Sequence, residues 1–170
     1  MLDNPPPSDT ISLPGEIHKR VQPSNTAYLL FTSGSTEKPK GVLMTHSAMS
    51  TSIVHHGPAF GASPGWRTLQ FAAHTFDISM TEFFTTLVFG GCICVPSEHD
   101  RLNNLADAIA ALRVNTALVF PTVTSLITPE QVPTLKTLVL GGEPVTKETI
   151  SRWAPHVNLT AGYGPSETAI

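Results

Sequence analysis

Three short stretches hold residues whose types and spacing suit chemistry on anions, amines and flat bases. The first, Leu29 to Val42, reads LLFTSGSTEKPKGV. An apolar run, Tyr28–Phe31, feeds into Thr32, Ser33, Gly34, Ser35 and Thr36, and Lys38, Pro39, Lys40 and Gly41 follow. Hydroxyls, backbone amides opened up by a glycine, and two lysines together make a cradle for an anion, and a polyphosphate suits it best. It is not a Walker A loop, because Pro39 separates the lysines and Gly41 follows Lys40. The second stretch is Phe76 to Glu82. Asp77 sits at a helix start, where a carboxylate caps the helix; beside apolar neighbours it also suits a ligand ammonium, and Thr81 lies one turn on along the same face. The third, Ala161 to Thr168, reads AGYGPSET. Tyr163 between glycines offers a flat face to a base, Ser166 a hydroxyl to a phosphate, and Glu167 a hard oxygen ligand to Mg²⁺. A plain turn with an exposed tyrosine is the alternative there. Gly141-Gly142-Glu143-Pro144 forms a fourth, weaker glycine turn after an apolar run.

The elements that must position these residues follow from the apolar pattern. Short apolar runs recur at Tyr28–Phe31, Thr68–Phe71, Cys92–Val95, Ala117–Phe120, Leu138–Leu140 and Val157–Ala161. They are continuous in apolarity, which suits strands buried on both faces. Between them lie helical patterns: His46–His56 behind a Thr45 cap, Ile78–Phe89 behind Asp77 with Gly90-Gly91 as the stop, Arg101–Arg113 behind Asp100, and Thr146–Trp153 with Val145 and Ile150 as a hydrophobic staple. In the second helix Phe83, Phe84, Leu87 and Val88 form the predicted buried face. Strands alternating with helices predict an α/β fold with a partly parallel sheet and flanking helices. The loops then fall at strand ends, where such folds bind ligands.

Composition narrows the classes. The chain has 170 residues, 41% hydrophobic and 14% charged, which is enough for one domain with a real core. A formal net charge of -3 gives no basic surface for nucleic acid. No apolar run reaches membrane-spanning length, no signal peptide opens the chain, and a cytoplasmic setting is expected. Cys92 and Cys94 read as reduced, buried thiols, and the seven histidines show no metal-ligand spacing. Residues 1–24, with Pro5, Pro6, Pro7, Pro14 and Pro23, read as an extended lead-in.

In this order, LLFTSGSTEKPKGV, FDISMTE and AGYGPSET resemble three core motifs of the adenylate-forming, or AMP-binding, ligases, and more narrowly those of nonribosomal peptide synthetase adenylation domains. The resemblance covers residues 25–170 and implies a portion of the large N-terminal subdomain. It implies that Thr32, Ser33, Gly34, Ser35, Thr36 and Lys40 grip the β- and γ-phosphates of ATP and that Ser166 contacts the α-phosphate. Tyr163 would pack on the adenine with Gly141, Gly142 and Glu143 nearby, and Glu167 would bind Mg²⁺. Asp77 would hold the α-amino group of an amino acid. Together with Ile78, Thr81, Val119, Val139, Gly141, Gly162 and Ile170 it would line a specificity pocket for an uncharged side chain. The implied reaction turns ATP and an α-amino acid into an aminoacyl adenylate and pyrophosphate, for transfer to the phosphopantetheine thiol of a carrier domain. The alternatives are an acyl- or aryl-CoA synthetase of the same superfamily and a non-catalytic nucleotide-binding remnant. Two departures stand out. Glu37 occupies a position where the family usually has glycine. The family's ribose-binding aspartate and its C-terminal subdomain with the catalytic lysine have no counterpart in these residues, so no catalytic residue is assigned and little turnover by the isolated chain is expected.

Overall fold

A computed structural model describes residues 21–32 and 39–168. The expectations for Ser33, Gly34, Ser35, Thr36, Glu37 and Ile170, and for most of the 1–24 lead-in, lie outside the described residues. The apolar run at Tyr28 becomes strand β1 (Thr26–Thr32), paired antiparallel with β2 (Lys40–Thr45) in a two-stranded ribbon. The expectation that β1 is buried on both faces is therefore corrected. Leu30, Val42 and Met44 turn inward, whereas Phe31 and Leu43 are 65% and 66% exposed. A continuous apolar run does not show whether both faces of a strand are covered, and in this ribbon ordinary alternation decides the matter. The strand β2 was absent from the predicted elements.

Helix α1 (His46–Phe60) follows at once, with the Thr45 hydroxyl accepting from the Ala48 amide at 3.2 Å as the sequence predicts. It runs through Gly57-Pro58 and ends at Gly61 in the left-handed region, φ 79°. Five strands then build one parallel sheet: β3 (Arg67–Leu69), β4 (Cys92–Cys94), β5 (Thr116–Val119), β6 (Thr137–Leu140) and β7 (Asn158–Ala161). Their order is β4-β3-β5-β6-β7. In β5 and β6 alternate residues feed two cores. Ala117, Val119, Leu138 and Leu140 join Leu69, Ile109, Val114 and Trp153 on one side, and Leu118 and Val139 join Phe60 and Trp66 on the other. Burial on both faces is why these strands read as unbroken apolar runs. Cys94 is buried, but Cys92 is exposed on the edge strand, which corrects the expectation of two buried thiols.

The helices carry the larger corrections. The predicted Ile78–Phe89 helix is α2, made of Asp77–Met80, a π-helical turn Thr81–Thr85, and Thr86–Val88. Phe76, not Asp77, occupies the N-cap position, and Asp77 is the first helical residue. Its buried face is polar: Ser79, Thr81, Glu82, Thr85 and Thr86 point inward, while Phe84, Leu87 and Val88 are exposed. Hydrogen-bond partners inside the fold, Thr68 for Thr86 and the chain at Phe71 for Glu82, outweigh the apolar pattern of the helix. The predicted Arg101–Arg113 helix is two, α3 (Glu98–Asn103) and α4 (Leu105–Ala111), broken at Asn104. Ser97, not Asp100, caps α3, its hydroxyl accepting from the Asp100 amide at 3.1 Å. The last helix, α5 (Lys147–Trp153), starts one residue later than expected, with Thr146 as its cap accepting from the Thr149 amide at 3.1 Å; Ile150 of the predicted staple is exposed. Among the described residues no helix is long and apolar enough to cross a membrane.

Candidate active site

Because the sheet is parallel, β3, β5, β6 and β7 all end on one edge. The residues that follow them meet there: Gln70, Phe120, Gly141 and Gly162. The ladder continues one residue past the strands, with Gly141 N donating to Val119 O at 3.3 Å and Gly162 N to Leu140 O at 2.7 Å. A cavity of about 250 Å³ opens at this edge. Its walls are mainly apolar, from Phe60, Phe71, Phe76, Ile78, Leu118, Val119, Phe120 and Val139, with backbone from Gly141, Gly142, Gly162 and Gly164. Among the described residues Asp77 is the one ionisable residue in its lining, and Ser166 brings a hydroxyl to the rim.

The glycines are required by geometry. Gly142 has φ 77°, and a Cβ there would lie 2.5 Å from Phe120 Cε1. A Cβ at Gly141 would sit 3.2 Å from the Gly162 carbonyl oxygen. The turn after β6 thus lets two strand-end loops approach closely beside the cavity.

Asp77 is half-buried, and its Oδ1 accepts from the Ile78 amide at 2.7 Å. Among the described residues no basic side chain forms an ion pair with it. Its charge is felt at Tyr28 on β1, where burial first and the Asp77 carboxylate second push the phenol pKa up. A carboxylate held in an apolar wall without a cation is suited to receive an ammonium group.

The predicted site residues are distributed as follows. Asp77, Ile78, Val119, Val139, Gly141 and Gly162 all line the one cavity. Thr81 does not; it is buried one turn along α2. Ser166 lines the cavity rim, and Glu167 beside it lies 3.5 Å from Lys40 Nζ on β2, both side chains being substantially exposed. The first and third motifs, far apart in sequence, therefore meet, and Thr32 bonds back to the Lys40 carbonyl at 3.4 Å. Tyr163 is 93% exposed, with its ring free on the surface. Glu143 turns to the start of the 3₁₀ turn Pro121–Ser125, accepting from Thr122 N and Thr122 Oγ1, each at 3.0 Å.

One residue escaped the sequence reading. Glu82 of α2 is fully buried, and its carboxylate accepts from the amides of Phe71 and Ala72 at 3.2 and 3.1 Å. Burial pushes its pKa up to about 7, against the pull of those two bonds, of Gln70 and of Arg101. Glu82 closes the second motif five residues after Asp77, but in the sequence it was indistinguishable from an ordinary solvated glutamate.

Comparison with known proteins agrees with this architecture. The AMP-binding enzyme family model matches residues 3–170. The nonribosomal peptide synthetase gloA of Glarea lozoyensis is 50% identical over 155 residues, 91% of this chain and 2% of that protein. The FR901469 synthetase of Dothideomycetidae sp. is 52% identical over 150 residues, 88% of this chain and 1% of that protein. The chain thus spans only a small fraction of the length of these relatives. Among solved structures, the Vibrio cholerae adenylation domain AlmE, in complex with glycyl-adenosine-5'-phosphate, superposes with a TM-score of 0.79 at 28% identity, over 88% of this chain and 30% of that one. The Klebsiella oxytoca NpsA N-terminal subdomain, in complex with anthranilyl-AMSN, gives 0.73 at 28% identity, over 88% of this chain and 41% of that one. With the family model matched over nearly its whole length and half its residues shared with peptide synthetases, this chain belongs to the AMP-binding enzyme family.

Proposed function

We propose that this chain forms the substrate-binding part of an adenylating enzyme that activates an α-amino acid with an uncharged, mainly apolar side chain. The single observation that carries this is Asp77, among the described residues the one ionisable group lining an apolar cavity at the edge where the parallel strands end. An ammonium bound there leaves the substrate's carboxylate directed toward the rim at Ser166. That carboxylate is ionised at neutral pH and needs no base, so the protein's task is positioning and charge stabilisation. Lys40 and the Ser166 hydroxyl are the groups to hold phosphate oxygens, and Tyr163, with its free ring, the group to pack on adenine, beside Gly141, Gly142 and Glu143.

The residues fit Mg²⁺, which takes one or two carboxylates and fills its other positions with water and substrate phosphates. Glu167 offers one accessible carboxylate, held beside Lys40. When bound, the ion would neutralise charge on the phosphates of ATP. The product, an aminoacyl adenylate, would then pass to a carrier-protein phosphopantetheine thiol in a cytoplasmic synthetase.

A second reading, aryl-acid activation, is favoured by the aromatic lining of Phe60, Phe71, Phe76 and Phe120. ATP–pyrophosphate exchange by the full-length enzyme separates the two. Amino-acid-dependent exchange lost by at least about tenfold on Asp77→Ala is expected from removal of a charged hydrogen-bond partner. Exchange with aryl or fatty acids alone refutes amino-acid activation.

A further inference from the structure

Strand β3 stops at Leu69, yet the next residues, Phe71 and Ala72, are the cavity wall opposite β5 and β6. Their backbone groups are held by side chains. Phe71 N donates to Glu82 Oε1 at 3.2 Å, and Ala72 N to the same oxygen at 3.1 Å. Phe71 O accepts from Arg101 Nη1 at 3.2 Å, and Ala72 O from Gln70 Nε2 at 2.6 Å. The Arg101 guanidinium also lies over the Phe71 ring, 5.7 Å from its centroid. All four polar backbone groups of this wall are thus satisfied by side chains: Glu82 of α2, Arg101 of α3 and the neighbouring Gln70.

We propose that the buried Glu82 and the half-buried Arg101 form a clamp that sets the position of the Phe71–Ala72 wall, and are positioning residues for the side-chain pocket of the substrate. Neither lines the cavity itself. Glu82 reaches the wall from the π-helical turn of α2, whose first residue is Asp77. One helix therefore presents the Asp77 carboxylate that lines the cavity and, from its next turn, the Glu82 carboxyl that bonds the Phe71–Ala72 wall. A wall whose backbone groups are all bonded keeps the Phe71 ring in one place, and the ring bounds the space open to a substrate side chain. A clamp of this kind acts on the acid substrate and leaves the phosphate-binding groups, Lys40, Ser166 and Glu167, untouched.

This rests on the adenylation reading, and the experiment keeps the two apart. Pyrophosphate exchange by the full-length enzyme is measured against acid substrate and against ATP for wild type, Glu82→Ala, Glu82→Gln and Arg101→Met. Loss of bonds to a charged group is expected to raise KM for the acid about tenfold or more in Glu82→Ala and Arg101→Met. It should also admit larger side chains, with KM for ATP changed by less than about twofold. Glu82→Gln retains the oxygen that both amides use and should stay within about threefold of wild type on the same scale. If Glu82→Ala does not fold, Arg101→Met decides. An unchanged KM for the acid in Arg101→Met, or equal losses in kcat and in both KM values that Glu82→Gln shares, overturns the clamp. If wild type exchanges only with aryl or fatty acids, amino-acid activation fails, and the same comparison made with that acid still tests the clamp.

Discussion

The buried carboxylate of Glu82 makes the chain's stability depend on pH in a direction opposite to the usual acid response. Burial holds its pKa near 7 in the folded protein, against an ordinary value of 4.5. Between those values the folded chain keeps a proton that the unfolded chain gives up. Stability therefore falls as pH rises through this window, and the loss is complete above about pH 7. The difference of the two values corresponds to about 3 kcal/mol between mildly acid and mildly alkaline solution. Glutamine in its place cannot ionise and removes the effect while keeping an oxygen for the amides of Phe71 and Ala72. Urea denaturation of wild type and Glu82→Gln, from pH 4.5 to 8, is the assay. Wild type should lose ground to the variant steadily across that range and then level off. Taking the difference cancels groups common to both proteins. His56 is one: burial lowers its pKa, so its own contribution is present above 6.5 and lost as pH falls from there through its lower folded value, the opposite sign. A difference that stays constant with pH, or grows toward acid, would refute the claim that Glu82 is buried as a strained carboxylate.

Two more perturbations probe the scaffold. Gly142→Ala places a side chain at φ 77° and drives its Cβ toward the Phe120 ring; thermal denaturation should show a loss of about 1–2 kcal/mol, and an unchanged melting temperature would contradict the turn geometry. Leu138→Ala empties a fully enclosed site in the larger core beneath Trp153 and should cost about 2–5 kcal/mol in urea denaturation, a loss under about 1 kcal/mol being inconsistent with the packing described.

Much of the sheet was legible in the sequence. The runs at Thr68, Cys92, Ala117, Leu138 and Val157 each became a parallel strand or abutted one; the central β5 and β6 are buried throughout, as continuous apolarity implies, whereas the edge strands β4 and β7 are partly exposed. Of the predicted caps, Thr45 accepts the Ala48 amide as expected, since capping involves only residues three apart, whereas Asp77 and Asp100 give way to Phe76 and Ser97. The motifs of the first, second and third stretches could be read as a set, and the family they point to is the family the chain belongs to.

What sequence could not settle was which face of an element turns inward. The helix α2 shows an apolar stripe at Phe84, Leu87 and Val88, yet buries Glu82, Thr85 and Thr86, because their partners at Phe71, Ala72, His56 and Thr68 arrive from elements 10 to 29 residues away. The ribbon β1–β2 exposes Phe31 for the same reason: coverage of a strand face is a property of its neighbours. Asp77, Ile78, Val119, Val139, Gly141 and Gly162 were singled out by motif alone, but only the parallel alignment of strand ends brings them around one cavity and leaves Thr81 outside it. Residue types and local spacing are written along the chain; the meeting of strand ends, and the burial of a charge against them, arises only when distant segments pack.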